Sequence, residues 1–441
     1  MQLREAIAAL GRVAYELGWQ ALPPAAAVRA QDVLIDTIGV TLAGSRTPEL
    51  TVLRSTIVGD SGPCRPIGTD LALSPTTAAW LDGTAACCLE LDEGNKRARG
   101  HPAAHVLPAA LAIAPLTDPD GETWLSAFVA GHEVAARVAA ATQLHPGVHP
   151  HGNASVAGAA TAVARLLGLD APGIAAAIDA AMALPLATDF SAALDGSFVR
   201  NTWIGQANVS GIAAARLALA GLATVDGRGA GTLGRILGRF NVDMLTDGLD
   251  APLAVTSGYF KRHASCSYTH PPADAALALR NTGVHPDDVV SIEVRTHHLA
   301  AALDRTTTPT RLAAMFSIPY VVAAVLVRGH FDVEASDVAA REDPLIRRLI
   351  DCTTVAHDPD LDARLPDERP ARLTINLVDG AVRTIEVPNP IGDASHHPLD
   401  RNDILHKLDG LLGPGEARRI EAVVNALPDA PNAVSELARL P

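Results

Sequence analysis

The feature that most constrains the fold is a set of alanine-rich apolar stretches that contain almost no aromatic residues. Apolar residues make up 48% of the 441 residues but aromatic residues only 3%, so alanine, leucine and valine must fill the interior. Alanine favours helix more strongly than any other residue. The stretches 153–169, 173–184 and 206–221 are of this kind, and Gly, Pro or Asp separates them. The sequence therefore predicts a mainly α protein, long enough for two or three domains.

The pattern changes near residue 285. Apolar residues alternate with polar ones at 290–294, 373–377 and 385–387, which predicts strands, and Asp-Gly at 379–380 predicts a hairpin between the last two. A helical stretch at 311–328 lies between these strands, and 355–370 is polar and marked by proline. We therefore expect a smaller α+β domain at residues 266–395, inserted into a helical domain formed by residues 1–265 and 396–441.

Charge and composition exclude several classes of protein. The net charge is −14 and no run of basic residues offsets it, which argues against binding to nucleic acid or to an anionic membrane surface. No stretch of 18 apolar residues lacks a charge, so no membrane span is predicted. Arg4 and Glu5 interrupt the opening segment, and the five cysteines are odd in number. We expect no secretory signal, reduced thiols and a cytoplasmic protein.

The chain contains partial matches to cofactor and metal motifs, but each lacks the neighbouring structure or residues that such a site requires. Residues 229–234 match GxGxxG but follow a predicted helix, whereas a dinucleotide site needs a preceding strand. His132-Glu133 begins like HExxH but lacks the second histidine, and no cysteines have zinc-site spacing. His101 and His105 are four residues apart, but spacing places no third ligand beside them. The prediction is therefore no metal and no cofactor.

Among the histidines that directly precede a proline, His101, His149 and His270 lie at the edges of predicted helices. A residue before proline is kept out of helical geometry, so each histidine should lie at a helix entrance, where anions are favoured. A carboxylate-rich turn at 89–95 precedes the first of them, and Lys261 precedes the third. Such a set of groups suits proton transfer on a carboxylate-bearing substrate. The alternatives for these groups are exposed loops, satisfied buried histidines and a solvated turn.

Seven segments, in order along the chain, resemble the MmgE/PrpD family, which includes 2-methylcitrate dehydratase, cis-aconitate decarboxylase and iminodisuccinate epimerase. They are the acidic turn with residues 100–112, and residues 131–138, 148–170, 196–222, 261–279, 316–329 and 388–399. The resemblance implies a large all-helical domain, a smaller α+β lid domain and an active site in the cleft between them. It also implies a homodimer and proton movement next to a carboxylate, with neither metal nor organic cofactor.

The motif positions suggest roles for individual residues. We expect His101 and His270 to transfer protons and Asp92 to orient or assist them. The residues expected to bind substrate are Asn95, His149, His151, Arg200 and Lys261. Arg200 stands where several relatives have lysine, and Ile318 where the decarboxylases have tyrosine. Arginine suits a bidentate grip on a carboxylate.

Four functions stay open. The first is a lyase that dehydrates a hydroxy di- or tricarboxylate, and the second is an epimerase or isomerase of a dicarboxylate. The dehydratase and the epimerase differ only in whether the substrate carries a leaving group on the β carbon. Decarboxylation ranks third because of Ile318, and a non-catalytic binding protein ranks fourth. Since the chain is acidic overall, an anionic substrate requires a local basic group in the cleft. The candidates are Arg97, Arg99, Arg200, Lys261 and Arg262, and their dispersal over separate faces would weaken the carboxylate hypothesis.

Overall fold

The computed structural model describes residues 2–249 and 251–440, and they are mainly helical, as predicted. The part of the chain before residue 250 is built almost entirely from helices. They are α1 (Leu3–Glu16), α2 (Pro24–Ser45), α3 (Pro48–Ser55), α4 (Pro75–Cys87), α5 (Pro102–Thr117), α6 (Gly121–Ala141), α7 (Val156–Leu166), α8 (Ala171–Met182), α9 (Ser191–Leu194), α10 (Val199–Leu219) and α11 (Arg228–Gly231). The three predicted alanine-rich helices are confirmed as α7, α8 and α10, although α10 begins seven residues earlier than expected.

Helix α10 packs closely on α4 where two glycines face each other. A Cβ atom on Gly83 would lie 2.7 Å from the Cα atom of Gly205, and one on Gly205 would lie 2.2 Å from the carbonyl oxygen of Trp80. Helices α6 and α7 meet in the same way at Gly131 and Gly158. At these crossings the helix backbones approach closely, because glycine has no side chain. A core that is poor in aromatic residues can therefore still be tightly packed.

Four short strands form two antiparallel pairs within the helical part. They are β1 (Gly94–Asn95) with β4 (Gly258–Tyr259), and β2 (Thr142–Leu144) with β3 (Gly238–Phe240). The first pair joins the acidic turn to the chain that leads into the second half of the molecule. Residues 229–234 form the end of α11 and a π-turn, without the preceding strand that a dinucleotide loop requires.

The second half of the chain contains a four-stranded sheet in the order β6-β5-β7-β8. Its strands are β5 (Val289–Thr296), β6 (Thr353–His357), β7 (Ala371–Leu377) and β8 (Val382–Val387). Strands β5 and β6 are parallel and the other pairs antiparallel. The predicted hairpin is confirmed: Leu377 donates to the carbonyl of Ala381 across the turn, and Gly380 has a φ of +83°.

The structure adds detail to two expectations for this region. Strand β6 includes the first residues of the segment that is polar and marked by proline. The predicted helical stretch at 311–328 consists of two helices, because the Ser317 side chain caps a new helix and accepts a hydrogen bond from the Tyr320 amide. The helices here are α12 (His270–Asn281), α13 (His298–Ala301), α14 (Arg311–Met315), α15 (Ile318–Arg328), α16 (Val338–Arg341), α17 (Pro344–Asp351) and α18 (Pro359–Asp362).

The last helices, α19 (Arg401–Leu412), α20 (Glu416–Ala426) and α21 (Ala433–Leu437), lie beside the N-terminal helices. Leu408 packs against α2 at Gly39, where a Cβ atom would lie 2.5 Å from the leucine Cδ2 atom. On α19, Lys407 has its Nζ atom 2.7 Å from Oδ1 of Asp36, which lies on α2. Within the described residues, no helix has both the length and the apolarity needed to cross a membrane.

Candidate active site

The acidic turn between α4 and α5 is an ordered, buried loop rather than a solvated one. Two of its non-glycine residues have left-handed backbone conformations, Glu90 with a φ of 52° and Arg99 with a φ of 51°. The side chain of Asn95 holds the loop: its amide donates to the carbonyl of Ala254 at 3.1 Å and to the hydroxyl of Ser257 at 3.2 Å. Its oxygen accepts from the Ala98 amide, so Asn95 stabilises the loop and does not line the cleft that follows.

The loop ends at His101, which precedes the first turn of α5. Its Nδ1 atom donates to the carbonyl oxygen of Glu93 at 2.7 Å, and Asp92 Oδ2 lies 3.0 Å from the same nitrogen. Because both neighbours are acceptors, the proton of the neutral ring lies on Nδ1 and the lone pair on Nε2. His101 lines the cleft and is 8% exposed. Its Nε2 atom, on the far side of the ring from Glu93 and Asp92, is therefore available as a base.

Behind His101 lies a buried ionic network of two carboxylates and two cations. Lys261 Nζ is 3.1 Å from Glu90 Oε2 and 3.0 Å from Asp92 Oδ1, and Arg200 also pairs with Glu90. Burial opposes ionisation of Asp92, but His101 and Lys261 together hold the pKa of its carboxyl below the ordinary value. Burial likewise opposes charge on Lys261, and Asp92 and Glu90 raise the pKa of its ammonium group. The four charges balance, which makes the network stable in a buried position.

Four histidine rings, those of His101, His105, His149 and His151, form an edge-to-face cluster at the cleft. The ring centroids of His101 and His151 are 5.1 Å apart, and those of His149 and His151 are 4.5 Å apart. Burial, followed by the charge of Arg200, lowers the pKa of both His149 and His151 well below the ordinary value. These two rings are therefore neutral, and each has Nε2 beside the guanidinium, at 3.3 and 3.4 Å.

His105, the candidate metal partner of His101, has both ring nitrogens occupied. Its Nδ1 donates to the carbonyl of His101 at 2.8 Å, and its Nε2 accepts from the Gly152 amide at 3.3 Å. Burial lowers the pKa of the His105 ring to about 4. His105 thus stabilises the backbone of the cluster.

The opposite wall of the cleft comes from the second half of the chain. It includes Cys266, Ser267, Tyr268, Phe316 and Arg369, and the cleft contains about 410 Å³ of empty space, part of it open to solvent. The guanidinium carbon of Arg369 lies 5.4 Å from the ring centroid of Tyr259 and 5.3 Å from that of Tyr268. Arg369 also donates to the Ser267 hydroxyl at 3.2 Å and is 7% exposed.

His270 lines an adjoining narrow recess, referred to below as the adjoining cavity, whose empty space of about 270 Å³ includes open solvent. It shares Tyr259, Ser267 and Arg369 with the cleft. Its Nε2 donates to the carbonyl of Ser265 at 3.2 Å, which leaves the lone pair on Nδ1. Burial and the neighbouring His263 lower the pKa of the His270 ring well below its ordinary value. His270 and His101 thus line different cavities, which share three residues.

The predicted basic group is only partly assembled. Arg99 and Arg200 line the cleft, and Lys261 lies behind it in the ionic network. Arg97 is exposed, 4.0 Å from Asp247, and Arg262 is also largely exposed. Sequence reasoning missed Glu90, which lies in the acidic turn but was not singled out, and Tyr268, which lies two residues before His270. It also missed Arg369, which has no motif around it.

Two models of known protein families match this chain. The MmgE/PrpD N-terminal domain matches residues 8–230, and the MmgE/PrpD C-terminal domain matches residues 263–429. The chain belongs to the MmgE/PrpD family. The resemblance predicted from the motifs is confirmed, and members of this family include enzymes.

Among curated members of the MmgE/PrpD family, the chain is similar to cis-aconitate decarboxylase from Aspergillus terreus strain NIH 2624 / FGSC A1156. The two are 25% identical over 431 residues, which cover 87% of this chain and 84% of the relative. A second cis-aconitate decarboxylase from Aspergillus terreus matches with the same identity and coverage. In the present MmgE/PrpD protein, Ile318 is fully buried at the start of α15 and is not among the residues that line the cleft.

Proposed function

We propose that the protein removes a proton from the carbon next to a carboxylate of a hydroxy di- or tricarboxylate and expels the β-hydroxyl, acting as a dehydratase. The observation that carries this proposal is the orientation of His101, with Nδ1 held by Glu93 and Asp92 and Nε2 free on a cleft lined by arginines. Burial lowers the pKa of His101 although Asp92 opposes the shift, so the ring is a neutral base at neutral pH.

The arginines supply what this chemistry needs. A C–H bond next to a carboxylate is very weakly acidic, and its carbanion requires fixed positive charge and hydrogen-bond donors. As His101 Nε2 takes the proton, Asp92 stabilises the imidazolium, and the electron pair moves onto the substrate carboxylate beside Arg200 or Arg99. The pair then forms the C=C bond as the C–O bond breaks.

Tyr268, on the opposite wall, is the proposed acid for the leaving hydroxide. Burial raises the pKa of its phenol, so the group stays protonated at neutral pH. It donates its proton to the hydroxide, which leaves as water, and solvent returns a proton to the tyrosinate while His101 releases its own. Acid and base on facing walls suit removal of the two groups from adjacent carbons.

The same opposed walls also suit an epimerase, which is the second candidate. Here His101 takes the α-proton and an acid across the cleft returns one to the opposite face. Cys266 stands on that wall, and burial raises the pKa of its thiol to about 11, which keeps it protonated. Decarboxylation is a third candidate, on the names of the two relatives. Because Ile318 does not line the cleft, this position does not discriminate among the three.

His270 stays a predicted proton-transfer residue: it lines the adjoining cavity, and its lone pair is on Nδ1. Asn95 and Lys261 are proposed to act on the substrate indirectly, since the loop and the ionic network occupy their polar atoms. The homodimer implied by the resemblance is also part of the proposal, and sedimentation analysis tests it.

The decisive experiment is incubation in D₂O with a panel of hydroxylated and plain di- and tricarboxylates. Deuterium incorporation is followed by NMR, and alkene formation by ultraviolet absorbance. Alkene growth, abolished in His101→Gln, supports the dehydratase. Exchange without alkene but with changing optical rotation supports the epimerase, and CO₂ release supports the decarboxylase. Exchange that persists undiminished in His101→Gln would refute His101 as the base.

A further inference from the structure

The cations around the cleft fall into two groups, those with carboxylate partners and those without. Arg200 and Lys261 are balanced by Glu90 and Asp92, so this set of four carries no net charge. Lys96, beside the adjoining cavity, lies 2.6 Å from Asp393 Oδ2. These three cations are therefore neutralised within the protein itself.

Arg369 and Arg99 are different. Both line the cleft, and within residues 2–249 and 251–440 neither has a carboxylate within ion-pair distance. Arg369 is 7% exposed, its guanidinium lies beside the rings of Tyr259 and Tyr268, and it donates to the hydroxyl of Ser267. These neighbours fix the position of the guanidinium but do not neutralise it. A buried charge without a counter-ion is costly, which points to an anionic ligand as the missing partner.

We infer that Arg369 binds a substrate carboxylate from the second half of the chain, and that Arg369 and Arg99 together select a ligand with two carboxylates. The cleft carries two unbalanced positive charges when His101 is neutral, which matches a dianion. A third carboxylate would find no unpaired cation in the cleft. This inference rests on the proposed function and narrows its substrate class from di- or tricarboxylates to dicarboxylates.

Arginine suits this role because its planar fork accepts a carboxylate through two parallel hydrogen bonds. The aromatic rings on Arg369 limit its rotamers, so less conformational entropy is lost on binding. Arg99 is exposed, and the loop that also carries His101 sets its backbone position, with a φ of 51°. The reacting carbon of a bound dicarboxylate would thus lie between the restrained Arg369 and the more mobile side chain of Arg99.

The test uses unreactive ligands, so binding is separated from turnover. Isothermal titration calorimetry compares malonate, succinate and glutarate with the half-amide of each, and glutarate with tricarballylate as a trianion. We expect at least one dianion to bind the wild-type protein roughly 10-fold or more tightly than its half-amide, because charge-assisted hydrogen bonds are among the stronger ones. Tricarballylate should bind no more tightly than glutarate.

The preference is the Kd of the half-amide divided by the Kd of the dianion. In Arg369→Gln this ratio should fall toward one, whereas Arg369→Lys should keep part of the preference. Arg97→Gln and Arg383→Gln are matched controls, because each removes one exposed positive charge away from the cleft. Both should leave the preference unchanged. If Arg369→Gln does not fold, Arg99→Gln makes the same test from the first half of the chain.

The inference is overturned if no dianion binds better than its half-amide, or if the arginine variants keep the full preference. His101→Gln separates this inference from the proposed function. It should bind the dianion normally and lose exchange, since its ring is not one of the two unpaired cations. A wild-type protein that prefers dianions but never exchanges a proton would refute the dehydratase and leave the ligand assignment standing.

Discussion

Replacing Lys261 with methionine tests whether charge balance in the buried network stabilises the fold. In the variant, Glu90 and Asp92 share Arg200 as their one remaining cation in the network, so one buried negative charge is uncompensated. Removing one partner of a buried ion pair costs about 3–5 kcal/mol of unfolding free energy. With an unfolding entropy of about 2.1 cal/mol/K per residue, this loss lowers the Tm of a chain of this length by about 3–6 °C.

The size of this loss depends on pH in a defined direction. In the wild-type protein the pKa of Asp92 is lowered, so its contribution to stability is present at neutral pH and is lost only as pH falls below its unfolded value toward the folded one. Without Lys261 the pKa of Asp92 should rise, because burial opposes ionisation and one of the cations that lower this pKa is gone. Asp92 in the variant then takes up a proton as pH falls from 7, which removes the uncompensated charge. The difference in Tm should be largest at pH 7–8 and shrink toward pH 5.

Thermal unfolding followed by circular dichroism at pH 8, 7, 6 and 5 measures this difference. Arg97→Met is the control, because its side chain is 62% exposed and 4.0 Å from Asp247, so its loss should leave the Tm nearly unchanged. Adding Glu90→Gln to Lys261→Met restores the balance and should recover part of the Tm. A variant as stable as wild type at pH 7.5, or a deficit that grows on acidification, would refute this reasoning.

Three further predictions concern the proposed site. His101→Gln should lower kcat about 100-fold or more. Because burial lowers the pKa of His101, the kcat/KM of the wild-type protein should stay constant as the pH falls to values below 6.5. A pH–rate profile that already falls above pH 7 would contradict this. Tyr268→Phe should lose alkene formation while keeping deuterium exchange, as measured by NMR in D₂O, and equal loss of both would remove its role as acid. His270→Gln should also lower kcat about 100-fold, and full activity in steady-state assays would show that the adjoining cavity plays no part in proton transfer.

The sequence predicted the larger features because they depend on local patterns. Helices α7, α8 and α10 follow from alanine content, and strands β5, β7 and β8 from alternation of apolar and polar residues. Strand β6 was missed because Thr353–His357 has little alternation; it lies at the edge of the sheet, where pairing with β5 determines its conformation. The break between α14 and α15 depends on one serine cap, which a periodic apolar pattern conceals.

Site residues could be predicted where they belong to a local sequence motif. They could not be predicted where contacts between distant segments determine their position. His101, His149 and Arg200 were found through motifs, and the structure brings them to one cleft. The hydrogen bonds from the Asn95 amide to the Ala254 carbonyl and the Ser257 hydroxyl could not be foreseen, since these partners lie about 160 residues away. Arg369 was missed for the same reason: its two tyrosine neighbours and its place on the cleft arise only when distant segments meet.

The two walls of the cleft are encoded by well-separated stretches of the chain. The proposed base His101 and its neighbour Asp92 come from the turn before α5, whereas Tyr268 and Arg369 come from the second half. In this proposal proton abstraction depends on the earlier segment, while protonation of the leaving group and one of the two ligand-binding arginines depend on the later one. A substitution at Arg369 can therefore change which small-molecule anion binds without altering the segment that abstracts the proton. Such a division lets gene duplicates diverge in substrate while they inherit the same proposed base.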